Sequence, residues 1–130
     1  MASITDFLDL FLEKKSFAHV ATLMPDGSPQ VTPVWVDYRD GKVLVNTALG
    51  RTKARNMALG AKVALSIADP DNPYHYVQVR GTVAAVHVEG AEDHINFLAK
   101  KYLDLDKYPH SQPGEERVIC EIEPRSVQGM

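Results

Sequence analysis

Two Asp-Gly pairs, Asp26-Gly27 and Asp40-Gly41, stand between three short apolar runs and constrain this chain more than any other feature. Asp-Gly supplies the positive backbone torsions that tight hairpins need, so the runs on either side fold back antiparallel. Those runs are Phe17 to Leu23, Pro29 to Tyr38 and Val43 to Thr47. Two successive hairpins make an antiparallel meander and exclude a βαβ unit across this stretch.

The remaining pattern extends the sheet and adds little helix. Ile4, Phe7, Leu8 and Phe11 recur at helical spacing, and Ser3 with Asp6 has capping-box spacing, which predicts a helix over Ser3 to Lys14. Arg51 to Gly60 has the length of a short helix, with Gly60 as its left-handed stop. Lys62 to Ala68 and Tyr74 to Val88 read as strands around the turn at Asp69 to Pro73. In the second of these, Val77, Val79 and Val83 share one parity while Tyr76, Gln78 and Arg80 share the other. Gly81, in its middle, marks a bulge or a tight bend.

Gly90 to Asp104 is helical, with Ala91, Ile95, Leu98 and Tyr102 on one side. Lys107 to Glu115 is an exposed loop, and Glu116 to Glu123 is a last strand closed by Pro124. The expectation is one β-dominated (α+β) domain spanning 1–130, with about six strands and three helices.

Several functions are disfavoured. A formal net charge of −3 argues against a general nucleic-acid binder, although a local basic pocket is compatible with it. The single cysteine, Cys120, lies in an alternating apolar run and reads as a small core side chain, leaving no disulfide framework. The five histidines (His19, His75, His87, His94 and His110) lack metal-ligand spacing, so no metal site is expected. No Ser-His-Asp order or paired carboxylates suggest hydrolysis. Met1 to Lys15 lacks a basic leader, and Asp6 and Asp9 interrupt its apolar stretch. The expectation is a soluble cytoplasmic protein without a membrane span.

Chemistry concentrates in Asn46 to Asn56, where Gly50 makes a turn between strand and helix, and Arg51, Lys53 and Arg55 place three cations in five residues. Cations at a helix start oppose the helix dipole, so helix stability alone would not select Arg51 and Lys53 there. A bound phosphate would offset that cost through charge-assisted hydrogen bonds. The alternative is a solvated basic helix end, free or docked on an acidic face. The glycine spacing of a Walker loop is absent. Pro33 cannot donate to a sheet ladder, which makes its strand an edge or breaks it there.

The order of helix, hairpin, Thr32-Pro33-Val34-Trp35, hairpin, Gly50-Arg51-x-Lys53-x-x-Asn56 and Val79-x-Gly81-Thr82 resembles the pyridoxamine-phosphate-oxidase-like superfamily. Within it the chain is most similar to the actinobacterial branch that uses the deazaflavin coenzyme F420. The resemblance covers Phe7 to Pro124 and implies an antiparallel split β-barrel with short flanking helices. It implies that Arg51 and Lys53 grip the cofactor phosphate, with Thr47 and Thr52 adding hydroxyl contacts. Asn56 would reach the same group or brace the loop. Pro33, Val34 and Trp35 would run beneath the ring system, where Trp35 either stacks by the ring or fills the core. The resemblance also implies a homodimer with the cofactor at the subunit interface, and Tyr76, Gln78 and Arg80 are candidates to reach the partner's cofactor.

The function implied is an oxidoreductase in which reduced F420 passes hydride to a small conjugated or unsaturated substrate. Hydride transfer needs position and exclusion of water more than an acid-base pair, so the lack of one does not count against it. FMN in place of F420 is one alternative. A carrier or sensor for flavin, F420 or haem that turns nothing over is another, and a barrel dimer with an unrelated partner is a third.

Overall fold

The computed structural model describes residues 3–130. Seven strands form one antiparallel sheet: β1 (Ala18–Leu23), β2 (Pro29–Val34), β3 (Asp37–Arg39), β4 (Lys42–Ala48), β5 (Lys62–Asp69), β6 (Asn72–His87) and β7 (Arg117–Gly129). Their order across the sheet is β2-β1-β5-β6-β7-β4-β3. Three α-helices accompany it: α1 (Leu8–Leu12), α2 (Thr52–Asn56) and α3 (Ala91–Leu103).

The run from Pro29 to Tyr38, expected as one strand, is two strands on opposite edges of the sheet, which raises the expected six to seven. Both halves are extended, so nothing in the local alternation marks the break. Only Trp35 and Val36 separate them, and three peptide steps span at most about 11 Å. The two edges are therefore held close and the sheet curls almost into a barrel, left open between β2 and β3. That is a split barrel. Pro33 lies on an edge strand, as its missing N–H requires.

Alternation fills the interior. Val63, Leu65 and Ile67 of β5 and Val77, Val79 and Val83 of β6 point inward, with Val20, Val43, Val45, Cys120 and Ile122 from their neighbours. The intervening Ser66, Gln78 and Arg80 face outward. Cys120 is 1% exposed, and burial pushes its thiol pKa up to about 11, as a core side chain should behave.

Ser3 forms the expected capping box with Asp6, but the helix opens as a 3-10 turn over Ile4–Phe7 before α1. The tighter turn shifts the helical phase, so Leu10 is fully buried where Leu8 was expected. Phe7, Leu10 and Phe11 plug one end of the barrel.

Two stop signals act differently from expectation. α2 ends at Asn56, and Gly60, although its φ is +86°, lies beyond the helix in the turn leading to β5. β7 runs through Pro124 to Gly129 because Pro124 pairs with Gly81 at a register shift, where a missing N–H is tolerated. A Cβ on Gly81 would stand 2.1 Å from the Glu123 carbonyl oxygen, so only glycine fits this bulge. In α3 the expected face is buried, and His94 joins it. No helix among the described residues is long and apolar enough to cross a membrane.

Candidate functional site

The split in the barrel is where the charged residues gather. β2 ends there, so Pro33, Val34 and Trp35 reach a cavity of about 180 Å³ that Arg51 and Lys53 line from the opposite side. The glycine turn sets this up: Gly50 has φ +92°, and Arg51 N donates to the Ala48 carbonyl. Arg55 braces the turn from outside, donating to the Gly50 carbonyl at 2.8 Å and to Thr52 Oγ1 at 3.1 Å.

Five expected site residues thus converge: Pro33, Val34, Trp35, Arg51 and Lys53. The other five lie elsewhere. Asn56 donates to Thr22 Oγ1 and to Met24 Sδ, tying α2 to β1. Thr52 uses its hydroxyl to accept from Arg55. Thr47 is fully buried, on the opposite face of β4 from Asn46, and its hydroxyl has no partner among the described residues. Gln78 and Arg80 sit on the outer face of β6, and Arg80 donates to Ser126 Oγ at 3.2 Å. Arg80 also lines a separate, open groove of about 460 Å³ with Ala21, Ala64 and Arg125. That groove is larger and carries cations of its own, Lys62, Arg80 and Arg125, but all three are exposed to water. In the smaller cavity Arg117 is buried and Lys53 half-buried, beside an aromatic wall, so charge there is desolvated and a bound anion gains most.

Trp35 is half-buried and outside the main core. Its ring stacks on Tyr102 at 5.0 Å with 5° between planes, and Tyr108 meets it edge-on at 5.7 Å. Tyr108 belongs to the loop after α3, which folds back over the cavity instead of standing free.

A third cation escaped the sequence reading. Arg117, the first residue of β7, pairs with Ala48 across the sheet and so stands beside the turn that carries Arg51. Its side chain is 3% exposed, donates to Glu115 at 2.7 Å, and places its guanidinium carbon 5.2 Å from the Tyr108 ring centre. Glu115 also lies 3.9 Å from Arg51, and these contacts, the Arg117 hydrogen bond above all, hold its carboxyl below the usual range. One carboxylate therefore serves two cations, and Lys53 beside them has none among the described residues.

Lys53 has no hydrogen-bond or ion-pair partner among the described residues, and its pKa is lowered. Burial is the main cause, followed by repulsion from Arg51 and Arg117. Desolvation and the two guanidiniums both disfavour charge on Lys53, and a bound anion would offset both. The aromatic wall of Trp35 and Tyr108 offers a planar apolar group somewhere to lie. The donor set therefore fits the phosphate of a flavin-type cofactor.

Comparison with known proteins gives the family. The family model for pyridoxamine 5'-phosphate oxidase matches residues 4–130. A solved F420 reductase is 31% identical over 92% of this chain and 94% of its own, with TM-score 0.77. An FAD-binding protein from Mycobacterium smegmatis (19% identity, 99% and 94% covered, TM-score 0.67) shares the fold. So does HupZ from Group A Streptococcus (20% identity, 100% and 94% covered, TM-score 0.65). No curated protein matches the chain. A family match across nearly the whole sequence, on a split barrel of this topology, places the chain in the pyridoxamine 5'-phosphate oxidase family.

Proposed function

We propose that this protein is an F420-dependent oxidoreductase that reduces a small conjugated or unsaturated compound. The observation that carries the reading is the cation pocket, in which Lys53 is left unpaired beside Arg51 and Arg117. The likeness to an F420 reductase over nearly all of both chains supports the choice of deazaflavin. When bound, the reduced deazaflavin would supply the hydride, and a proton from solvent would complete the saturated product.

The chain's own residues bind, orient and exclude water. Arg51 and Lys53 hold the phosphate as charge-assisted donors. Pro33, Val34 and Trp35 form an apolar edge on which the ring would lie, fixing the face it presents to substrate. Trp35 is itself held flat by Tyr102, so this edge is rigid.

The cavity of 180 Å³ is smaller than the roughly 300–1,000 Å³ usual for cofactor sites, so one chain covers only part of the ligand. A homodimer would supply the missing wall, with Gln78 and Arg80 on the outer face of β6 as candidates to meet the partner's cofactor. Affinity should then fall when the protein is diluted until it dissociates. An affinity unchanged in a protein shown to be monomeric would remove the shared site.

Lys53→Ala should weaken F420 binding by about 1.5–3 kcal/mol, the range for hydrogen bonds to charged groups, with folding preserved. Fluorescence titration of the coenzyme measures this, with FMN titrated in the same salt. Equal affinity in wild type and variant would overturn the reading. Preference for FMN would replace deazaflavin chemistry with flavin chemistry on the same site. Tight binding without turnover across enones, quinones and nitroaromatics would make the protein a carrier.

A further inference from the structure

Beneath the cavity lies a run of buried polar side chains that phosphate binding by Arg51 and Lys53 does not require. Arg117 Nε donates to Asn46 Oδ1 at 2.9 Å. Asn46 Nδ2 is 3.1 Å from His94 Nδ1 and 2.9 Å from the Ala91 carbonyl. His94 Nε2 is 3.0 Å from Asp37 Oδ2. Arg117, Asn46, His94 and Asp37 are all under a tenth exposed.

The chemistry of the ends fixes the direction of every bond between them. Arg117 Nε can only donate, so the Asn46 oxygen must face it. The Asn46 amide nitrogen then faces the Ala91 carbonyl, which can only accept, and His94 Nδ1. His94 Nδ1 must therefore carry a lone pair, which puts the ring proton on Nε2, pointing at Asp37. Asp37 accepts it, along with the N–H of Tyr38 at 2.8 Å. Burial opposes the charge on Asp37, but these hydrogen bonds, with the charge of Lys101 nearby, hold its pKa below the ordinary value. The chain of donors runs one way, from Arg117 to Asp37.

Arg117 is thus gripped on two of its three nitrogens, Nε by Asn46 and Nη1 by Glu115. Nη2 has no acceptor among the described residues, although the side chain is nearly buried and lines the cavity. Groups held so firmly between the sheet and α3 are arranged for what the remaining nitrogen can reach.

We propose that Arg117 is the third anion-binding cation of the pocket, and that Asp37, His94 and Asn46 are positioning residues that aim its free nitrogen at the cofactor phosphate. The proposal rests on the phosphate reading of the cavity and extends it to residues brought together from β3, β4, α3 and β7. A preset guanidinium binds without losing further side-chain freedom, which is how such a chain would raise affinity.

The test compares F420 with its phosphate-free deazaflavin chromophore at fixed salt, because the ratio of affinities separates the phosphate, with the tail it carries, from the ring. Wild type should prefer the phosphorylated ligand. Asn46→Ala should lower that preference about tenfold while leaving affinity for the phosphate-free chromophore unchanged. A general loosening of the barrel would weaken both ligands alike, and that result would overturn the proposal. Arg117→Lys keeps the charge but not the fork, so it should lose preference similarly; full preference in this variant would also overturn it.

If Asn46→Ala does not fold, Arg117→Lys decides. If neither folds, nitrogen NMR of the wild type decides: His94 should be the neutral Nε2–H tautomer, and an Nδ1–H or charged ring would contradict the chain. A wild type that shows no preference between the two ligands would instead remove the phosphate site itself, a failure separable from the others.

Discussion

Two clusters of charge in this barrel are solved in opposite ways. In one, Lys14 reaches Asp71 at 3.3 Å and Asp69 at 3.6 Å, while His75 contacts Asp9 at 3.0 Å and the Met130 carbonyl at 2.6 Å. Lys14 is raised in pKa, by its hydrogen bond to Asp71 first, and His75 is raised, by the Met130 carbonyl first and then by Asp9. In the other cluster, Arg51 and Arg117 share Glu115, while Lys53 beside them has no acidic partner among the described residues and is lowered. The first cluster carries its own counterions and ties α1 to the β5–β6 hairpin. The second has one carboxylate among three cations, and that excess of positive charge is what the proposed phosphate would answer.

The largest expected effect comes from breaking the second cluster at its buried member. Arg117→Ala leaves Glu115 and Asn46 without their partner, and loss of a buried ion pair typically costs about 3–5 kcal/mol. Urea unfolding measures it, and an unchanged midpoint would mean that Glu115 finds other solvation.

Next is the pH dependence, which should have opposite signs in the two clusters. Charged Lys53 destabilises the empty fold because its folded pKa lies below its unfolded one. That penalty fades as pH rises through the folded value and is gone above the unfolded value of about 10.4. F420 binding restores the proton, so affinity should fall, and protons should be taken up, as pH rises through the lowered Lys53 value. Calorimetry in buffers of different ionisation enthalpy reads the uptake, and Lys53→Met should abolish it.

For His75 the folded pKa is raised, so its contribution is fully present below the unfolded value of about 6.5 and lost as pH rises through the folded value. Wild type should therefore exceed His75→Gln in melting temperature only on the acidic side. A difference that persists unchanged at alkaline pH would show that packing against Phe7, whose ring centre is 6.0 Å away, is the real contribution. The smallest effect is expected from Lys14→Ala, which should leave cofactor affinity unaltered. A weakened affinity there would erase the distinction between the clusters.

Local signals carried much of the fold. The Ser3–Asp6 capping box, the two Asp-Gly hairpins and the valine parity of β6 all depend on residues a few positions apart, and all were legible. What was not legible depends on closure. Nothing near Trp35 reveals that β2 and β3 lie on opposite edges, because both are extended and only the global curl separates them. Pro124 reads locally as a stop, and it is tolerated only because Gly81 faces it.

The site divides the same way. Arg51 and Lys53 were visible as helix-starting cations that helix stability would not choose. Arg117 was invisible because its place beside them follows from pairing with Ala48, far away in sequence. The one available hint was Glu115 two residues before it, an acid and a base on one side of an incipient strand. His94 and Asp37 meet only when α3 packs on the sheet, so their pairing had no sequence signature.

A crystal structure of the protein with F420 bound tests the central claim most directly. The phosphate should lie within hydrogen-bonding distance of Arg51, Lys53 and Arg117, with the ring along Pro33 to Trp35. A phosphate seated in the outer groove by Arg80, with Lys53 left unpaired, would contradict it.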